Sequence, residues 1–286
     1  MKLYLLSVSG MDDEDGGDRA ALRRVSRAFW RCALLACAVV LAALCFAPQR
    51  AGGQDGPTAE EVVSGAMDYW RGESSISTVE MTISRPDWER RMTLRAWTLG
   101  RDDSVFKVLA PAKDRNNGTL KKQQEMWTYN PKINRTIKIP PSMMAQSWMG
   151  SDFSNNDLAK ANSLLADYTH TRTGTSQHEG LTVYHVQCLP KPAAPVVWGK
   201  QTLRIREDYI LLEQVFYDED MLPVKRMTAS DIAMMGGRLF PRLWVMEKVE
   251  EPGHVTRLEY TDLAFGVEIP ERYFTIRWLS TPVRER

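Results

Sequence analysis

From Val79 to Leu263, apolar residues recur at nearly every second position, which is the spacing of a strand with one buried face and excludes a helical bundle. Val79, Met81 and Ile83 alternate with Thr78, Glu80 and Thr82. Met92, Leu94 and Ala96 alternate with Arg91, Thr93 and Arg95, while Trp97 and Leu99 fall on the other face. Turn formers such as Arg85-Pro86-Asp87, Gly100-Arg101-Asp102-Asp103, Asn116-Asn117-Gly118, Glu207-Asp208 and Gly236-Gly237 separate successive runs. About eleven antiparallel strands are expected, each paired with its neighbour in sequence.

The alternation breaks twice. Thr58 to Trp70 reads as a helix, with Thr58 and Glu61 placed as a capping box, Val62, Val63, Ala66, Met67 and Trp70 on one stripe, and Gly72 at its end. The second break follows a predicted hairpin, Met126 to Tyr129 and Ile133 to Ile139, where Pro140-Pro141 stops the strand because neither can donate to a ladder. Ser142 to Met149 is apolar and Met-rich. Gly150-Ser151-Asp152 interrupts it, and Ser154 to Leu158 reads as a short capped helix. Thioethers repack easily and Trp covers much apolar area, so this flap suits contact with a greasy partner or, equally, plugs a core. Two short covers cannot fill a large sheet. The sheet therefore either closes around its own side chains or leaves an apolar cavity.

Residues 1–53 differ from the rest. Arg23, Arg24, Arg27 and Arg31 precede an uncharged run from Cys32 to Ala47, and Ala51-Gly52-Gly53 supplies small residues for cleavage after Gly53. This pattern predicts an N-terminal extension and signal peptide over residues 1–53, with a single domain over 54–286. The product is expected to be exported, with a retained signal anchor as the alternative. Three of the four cysteines fall in this first segment, leaving Cys188 alone beyond it. A disulfide within that domain is thus excluded, and packing must stabilise the sheet.

Function classes narrow mainly by exclusion. With 37 basic and 36 acidic residues, the chain has no global field to attract nucleic acid. Its four histidines have no metal-ligand spacing, no G-x-S-x-G elbow occurs, and no phosphate-loop or dinucleotide glycine pattern is present. Neither a cofactor nor an enzymatic activity is expected. Ser151 beside Asp152 reads as turn chemistry rather than a nucleophile with its base.

Several motifs occur in a telling order: Met126-Trp127-Thr128-Tyr129-Asn130-Pro131, then Trp148-Met149-Gly150-Ser151-Asp152-Phe153-Ser154 with Asp157-Leu158. Near the end come Thr256-Arg257-Leu258-Glu259-Tyr260, Ile269-Pro270, Phe274-Thr275 and Arg277-Trp278-Leu279. This order resembles the outer-membrane lipoprotein-sorting proteins, which are similar to the LolA/LolB carriers. Trp148 stands where that family more usually has Phe, and Asn155 where an aromatic often follows.

The resemblance implies a mainly β fold: a curved, incompletely closed antiparallel barrel with a helical lid over an apolar cavity. It implies a non-enzymatic periplasmic carrier of lipid or lipoprotein acyl chains. A transporter of the resistance-nodulation-division type is the implied partner. On this reading Met143, Met144, Trp148, Met149 and Phe153 of the lid face Met92, Leu94, Trp127, Ile137 and Ile139 of the sheet, with Gly150, Ser151 and Asp152 as the lid motif. An exported interaction domain and, less favoured, an envelope lipid hydrolase using Ser151 are the rivals.

Overall fold

A computed structural model describes residues 56–160 and 162–283; the predicted leader, residues 1–53, lies outside them. The described chain begins with helix α1 (Ala59–Arg71), capped as the sequence predicts: the Thr58 side chain accepts from the Glu61 amide while Glu61 accepts from that of Thr58.

Thirteen strands follow in one antiparallel sheet. They are β1 (Ser74–Arg85), β2 (Trp88–Leu99), β3 (Asp103–Ala110), β4 (Gly118–Lys122), β5 (Glu125–Asn130) and β6 (Arg135–Lys138), then β7 (Tyr168–His178), β8 (Leu181–Pro190), β9 (Lys200–Arg206), β10 (Leu211–Tyr217), β11 (Pro223–Met235), β12 (Arg238–Lys248) and β13 (Val255–Phe265). The expected number was about eleven. β4 and β6, with five and four residues, are the shortest of them, and β5 with β6 forms the predicted hairpin.

Two meanders make up the sheet, β1 to β6 and β7 to β13, and they join where β1 pairs with β13. This topology puts β6 and β7, consecutive in sequence, at opposite ends of the sheet, unpaired with each other. The segment between them must cross from one end to the other, and it carries the lid. The barrel is therefore open along one seam, and its connection bridges the inner side.

Side chains on the inner face meet two covers. Ala59, Val62, Val63 and Ala66 of α1 pack on Tyr168, Val186, Cys188, Leu203 and Ile205 of β7, β8 and β9. Lid residues Trp148 and Ala159 pack on Met81, Ile83, Met92, Leu94, Val108 and Met126 at the other side. The outer face is covered only locally. There the C-terminal segment, a 3-10 turn at Glu271–Phe274 and helix α4 (Ile276–Leu279), buries Phe274 and Leu279 against Trp97, Val105, Leu120 and Tyr129.

Candidate functional site: a lidded apolar cavity

Between these covers lies a cavity of about 220 Å³. Its walls come from β1 to β4 and from β9 to β13, so strands from both meanders face one space, as they do only when the sheet curves around it. Most of the lining is apolar: Val79, Leu94, Phe106, Phe216, Phe240, Trp244, Met246 and Leu258 from the sheet, with Met67 and Trp70 from α1. Trp70 and Trp244 approach at 5.9 Å between ring centroids. Val196, Val197 and Trp198, from the loop between β8 and β9, close the rim, and Val197 is exposed.

The lid runs from Pro140 to Ala166 as a 3-10 turn at Pro141–Met143, a second at Trp148–Gly150, then α2 (Asn155–Ala159) and α3 (Ser163–Ala166). Backbone bonds within it fold it back on itself: the Trp148 amide donates to Phe153 O at 2.7 Å and the Asn156 amide to Met144 O at 2.8 Å. Trp148 anchors it. Its indole N–H donates to Thr119 Oγ1 at 3.0 Å and its ring meets Phe106 edge-on at 5.2 Å.

The Met149-Gly150-Ser151-Asp152 turn supplies a latch. Met149 (φ 53°) and Gly150 (φ 81°) both take left-handed backbone conformations, which glycine adopts without strain and methionine rarely does. The reversal aims Asp152 into the sheet, where its side chain is fully buried. Arg85, at the end of β1, donates to Asp152 Oδ2 at 3.1 Å and to Gly150 O at 3.1 Å. Thr256 of β13 donates to the same carboxylate at 2.6 Å and accepts the Asp152 amide at 3.0 Å. A second tie lies further along. Ser154 caps α2 reciprocally with Asp157, and Lys225 of β11 donates to Asp157 Oδ2 at 2.9 Å.

Ser151 is equally buried, and its hydroxyl donates to Trp148 O at 2.6 Å. It serves the turn's backbone, and its hydroxyl bonds to no side-chain base among the described residues. Among the described residues no group of three or more His, Cys, Asp or Glu is placed to hold a metal, and no helix is long and apolar enough to cross a membrane.

A family model described only as an uncharacterized protein matches residues 100–281. The chain belongs to that family. No curated protein matches it in sequence. Among solved structures, a DUF1329 family protein from Desulfovibrio piger is similar with a TM-score of 0.70 at 22% identity, covering 78% of this chain and 100% of that one. A putative outer membrane lipoprotein-sorting protein domain from Vibrio parahaemolyticus follows at 0.67 and 19%, covering 78% and 98%. A LolA superfamily protein from Nitrosomonas europaea gives 0.65 and 20%, covering 78% and 100%. This member of the family thus has the LolA-type fold, the open curved β-barrel with a lid that its motif order resembles.

The residues singled out from the sequence do not all meet at the cavity of this family member. Leu94, Trp148 and Phe153 line it. Met92, Ile139, Met144 and Met149 lie beside it in the cluster beneath the lid. Trp127 is on the opposite, outer face: it pairs across from Leu120 and packs under the C-terminal segment, so its neighbour Met126 is the inward residue. Ile137 shares the inner parity, opposite Thr128, but β6 is an uncovered edge and leaves it 47% exposed. Met143 sits at the lid's outer turn and is 40% exposed.

The helix over Thr58 to Trp70 was expected as a cover, but its lining residues Met67 and Trp70 were not singled out, and the 196–198 loop was missed. The stripe ending at Trp70 pointed to the helix, whereas the proline-rich loop carries no periodicity to read.

Proposed function

We propose that this chain is an exported, non-enzymatic carrier that shields the acyl chain of a lipid or lipoprotein between membranes. The observation that carries the reading is the apolar cavity enclosed by the curved sheet, α1 and a lid tied down at two places. Each methylene withdrawn from water contributes about 0.8 kcal/mol, so one long chain gives useful affinity without an elaborate set of polar contacts.

At about 220 Å³ the cavity is smaller than the ~300–1,000 Å³ of drug-sized pockets. A bulky cargo therefore requires the lid to shift. Met144 and Met149 at its underside can repack as it does, because thioether chains are unbranched and polarizable. Release then needs the Asp152 and Asp157 ties to loosen, and contact with a membrane partner can supply this. The LolA-type neighbours support the reading, one being named for lipoprotein sorting. The proposed setting is the periplasm, and a transporter of the resistance-nodulation-division type is the proposed partner on the strength of the motif resemblance.

Native mass spectrometry of the protein isolated from cells with an intact envelope tests this. Adducts at lipid masses, lost on delipidation and regained with detergent-solubilised lipid extract, are the expected result. A protein that stays empty through that cycle overturns the reading.

A further inference from the structure

The cavity wall is not uniformly apolar, and its polar part is ordered. Ser75 pairs across from Thr98, Thr98 from Ser104, and Ser104 from Lys121, so four polar residues on β1, β2, β3 and β4 form one row on the inner face. All four line the cavity. Arg71, in the last turn of α1, lies over this row and also lines the cavity. Its Nη2 donates to Ser104 Oγ at 2.7 Å and its Nε to Gly100 O at 3.1 Å, while Nη1 makes no hydrogen bond among the described residues. Lys121 donates to the carbonyls of Arg101 and Asp102 at 3.1 and 2.8 Å.

Arg71 is 8% and Lys121 is 1% exposed, yet neither forms an ion pair with a carboxylate among the described residues. The nearest acids, Asp102 and Asp103, act on both cations through space but form no ion pair with either: Asp102 accepts from Asn162 at 2.6 Å, and Asp103 pairs with Lys122 at 3.7 Å. Two buried cations facing one cavity with no carboxylate in direct contact remain costly, since burial disfavours the charged form and each repels the other. An anion between them would relieve both effects. Along β2 the wall turns apolar at Ala96 and Leu94, the latter roughly 13 Å from Thr98 at ~3.3 Å per residue.

We propose that this end of the cavity is a subsite for the anionic head of a single-chain amphiphile, a carboxylate or phosphate monoester. Arg71 and the row Ser75, Thr98, Ser104 and Lys121 would hold the head, and the chain would run toward Leu94, Phe106 and Trp148. This rests on the acyl-chain reading of the cavity and adds which end of the ligand lies where. Arginine suits the task because its planar fork keeps one edge on Ser104 and Gly100 and leaves the other for an oxyanion.

Titration of the purified protein with palmitate, 1-palmitoyl-lysophosphatidate and hexadecanol, followed by intrinsic tryptophan fluorescence, tests the subsite. At least one of the two anionic ligands is expected to bind tenfold or more tighter than hexadecanol, and their order tells carboxylate from phosphate. R71Q and K121M should each reduce that preference at least threefold while leaving hexadecanol affinity within twofold. S104A, which removes only the hydroxyl that orients Arg71, gives a milder reading if the charge variants fail to fold. Hexadecanol binding as tightly as both anions, or an undiminished preference in R71Q, overturns the subsite while the carrier reading stands. Inorganic phosphate displacing palmitate at equal concentration overturns it in favour of a free-anion site. Binding of none of the three amphiphiles removes the carrier reading and the subsite together.

Discussion

Asp152 on the lid and Arg85 at the end of β1 meet at 3.1 Å, the Asp152 side chain fully buried and that of Arg85 nearly so, and Thr256 closes the same carboxylate from β13. β1 and β13 are the strands that join the two meanders, so the latch fastens the lid at the middle of the sheet rather than at either open end. Removing one partner of a buried pair leaves the other charged and unpaired, a loss of about 3–5 kcal/mol. D152A should therefore lower the denaturant midpoint and expose the lid to limited proteolysis between residues 140 and 160. D152N keeps the volume and an acceptor oxygen for Thr256, and should lose less. A protease pattern unchanged in D152A would count against the latch.

Trp148 combines the lid's largest buried aromatic surface with an indole hydrogen bond to Thr119. W148A should cost about 3–5 kcal/mol, the range for deleting a buried aromatic, because the rigid sheet beneath it cannot collapse into the gap. W148F retains the edge-on contact with Phe106 and forfeits the indole bond, so it should cost less than half as much. Equilibrium unfolding in urea separates the two, and equal losses would contradict the packing role.

Lys107 makes the C-terminal segment pH-sensitive. Its ammonium is fully buried on the outer face, donates to Trp278 O at 2.8 Å and to Thr281 O, and lies 4.1 Å from the Trp278 ring centroid. Burial lowers its pKa from 10.5 to about 8. The unfolded chain therefore binds more protons between pH 8 and 10.5, and this residue's contribution to stability rises with pH across that window. The penalty for burying the charge is complete below pH 8. K107M lacks this proton release, so the stability of wild type minus that of K107M should slope upward from pH 8 to 10.5. Taking the difference cancels the opposing slope of Cys188, whose buried thiol is pushed up to about 12. A flat difference would show that Lys107 titrates normally.

Strand alternation identifies the faces wherever only one face is apolar, as at Met92, Leu94 and Ala96, all of which turn inward. It fails where both faces are buried. Met126 and Trp127 are adjacent and both apolar, and only the distant C-terminal segment, packed on Leu120 and Tyr129, makes the outer position as dry as the inner one. Ile137 and Met143 fail for the converse reason: their pattern is apolar, but an edge strand and a lid tip have nothing above them. The polar row escaped notice because Ser75, Thr98, Ser104 and Lys121 come from four strands, and only the register shows that they are neighbours. Capping, by contrast, is local chemistry, and Thr58 with Glu61 was readable from spacing alone.

Cys188 offers an internal reporter of the α1 interface. Its side chain is fully buried on β8, in the cluster formed with Val62, Val63 and Ala66 of α1, and it is a free thiol. The thiolate is the reactive species, and a pKa near 12 leaves almost none at pH 8. In protein freed of the leader and its three cysteines, iodoacetamide or Ellman's reagent should therefore leave the native protein unlabelled at pH 8 over hours, with full reaction in denaturant. V63A leaves a void beside the thiol and loosens α1, so it should raise the native labelling rate by an order of magnitude or more while the denatured rate stays fixed. If cargo enters by displacing α1 rather than the Trp148 lid, added lipid extract will accelerate labelling of the wild-type protein. Entry beneath the lid alone leaves that rate unchanged, because Cys188 and Trp148 belong to separate clusters on the inner face.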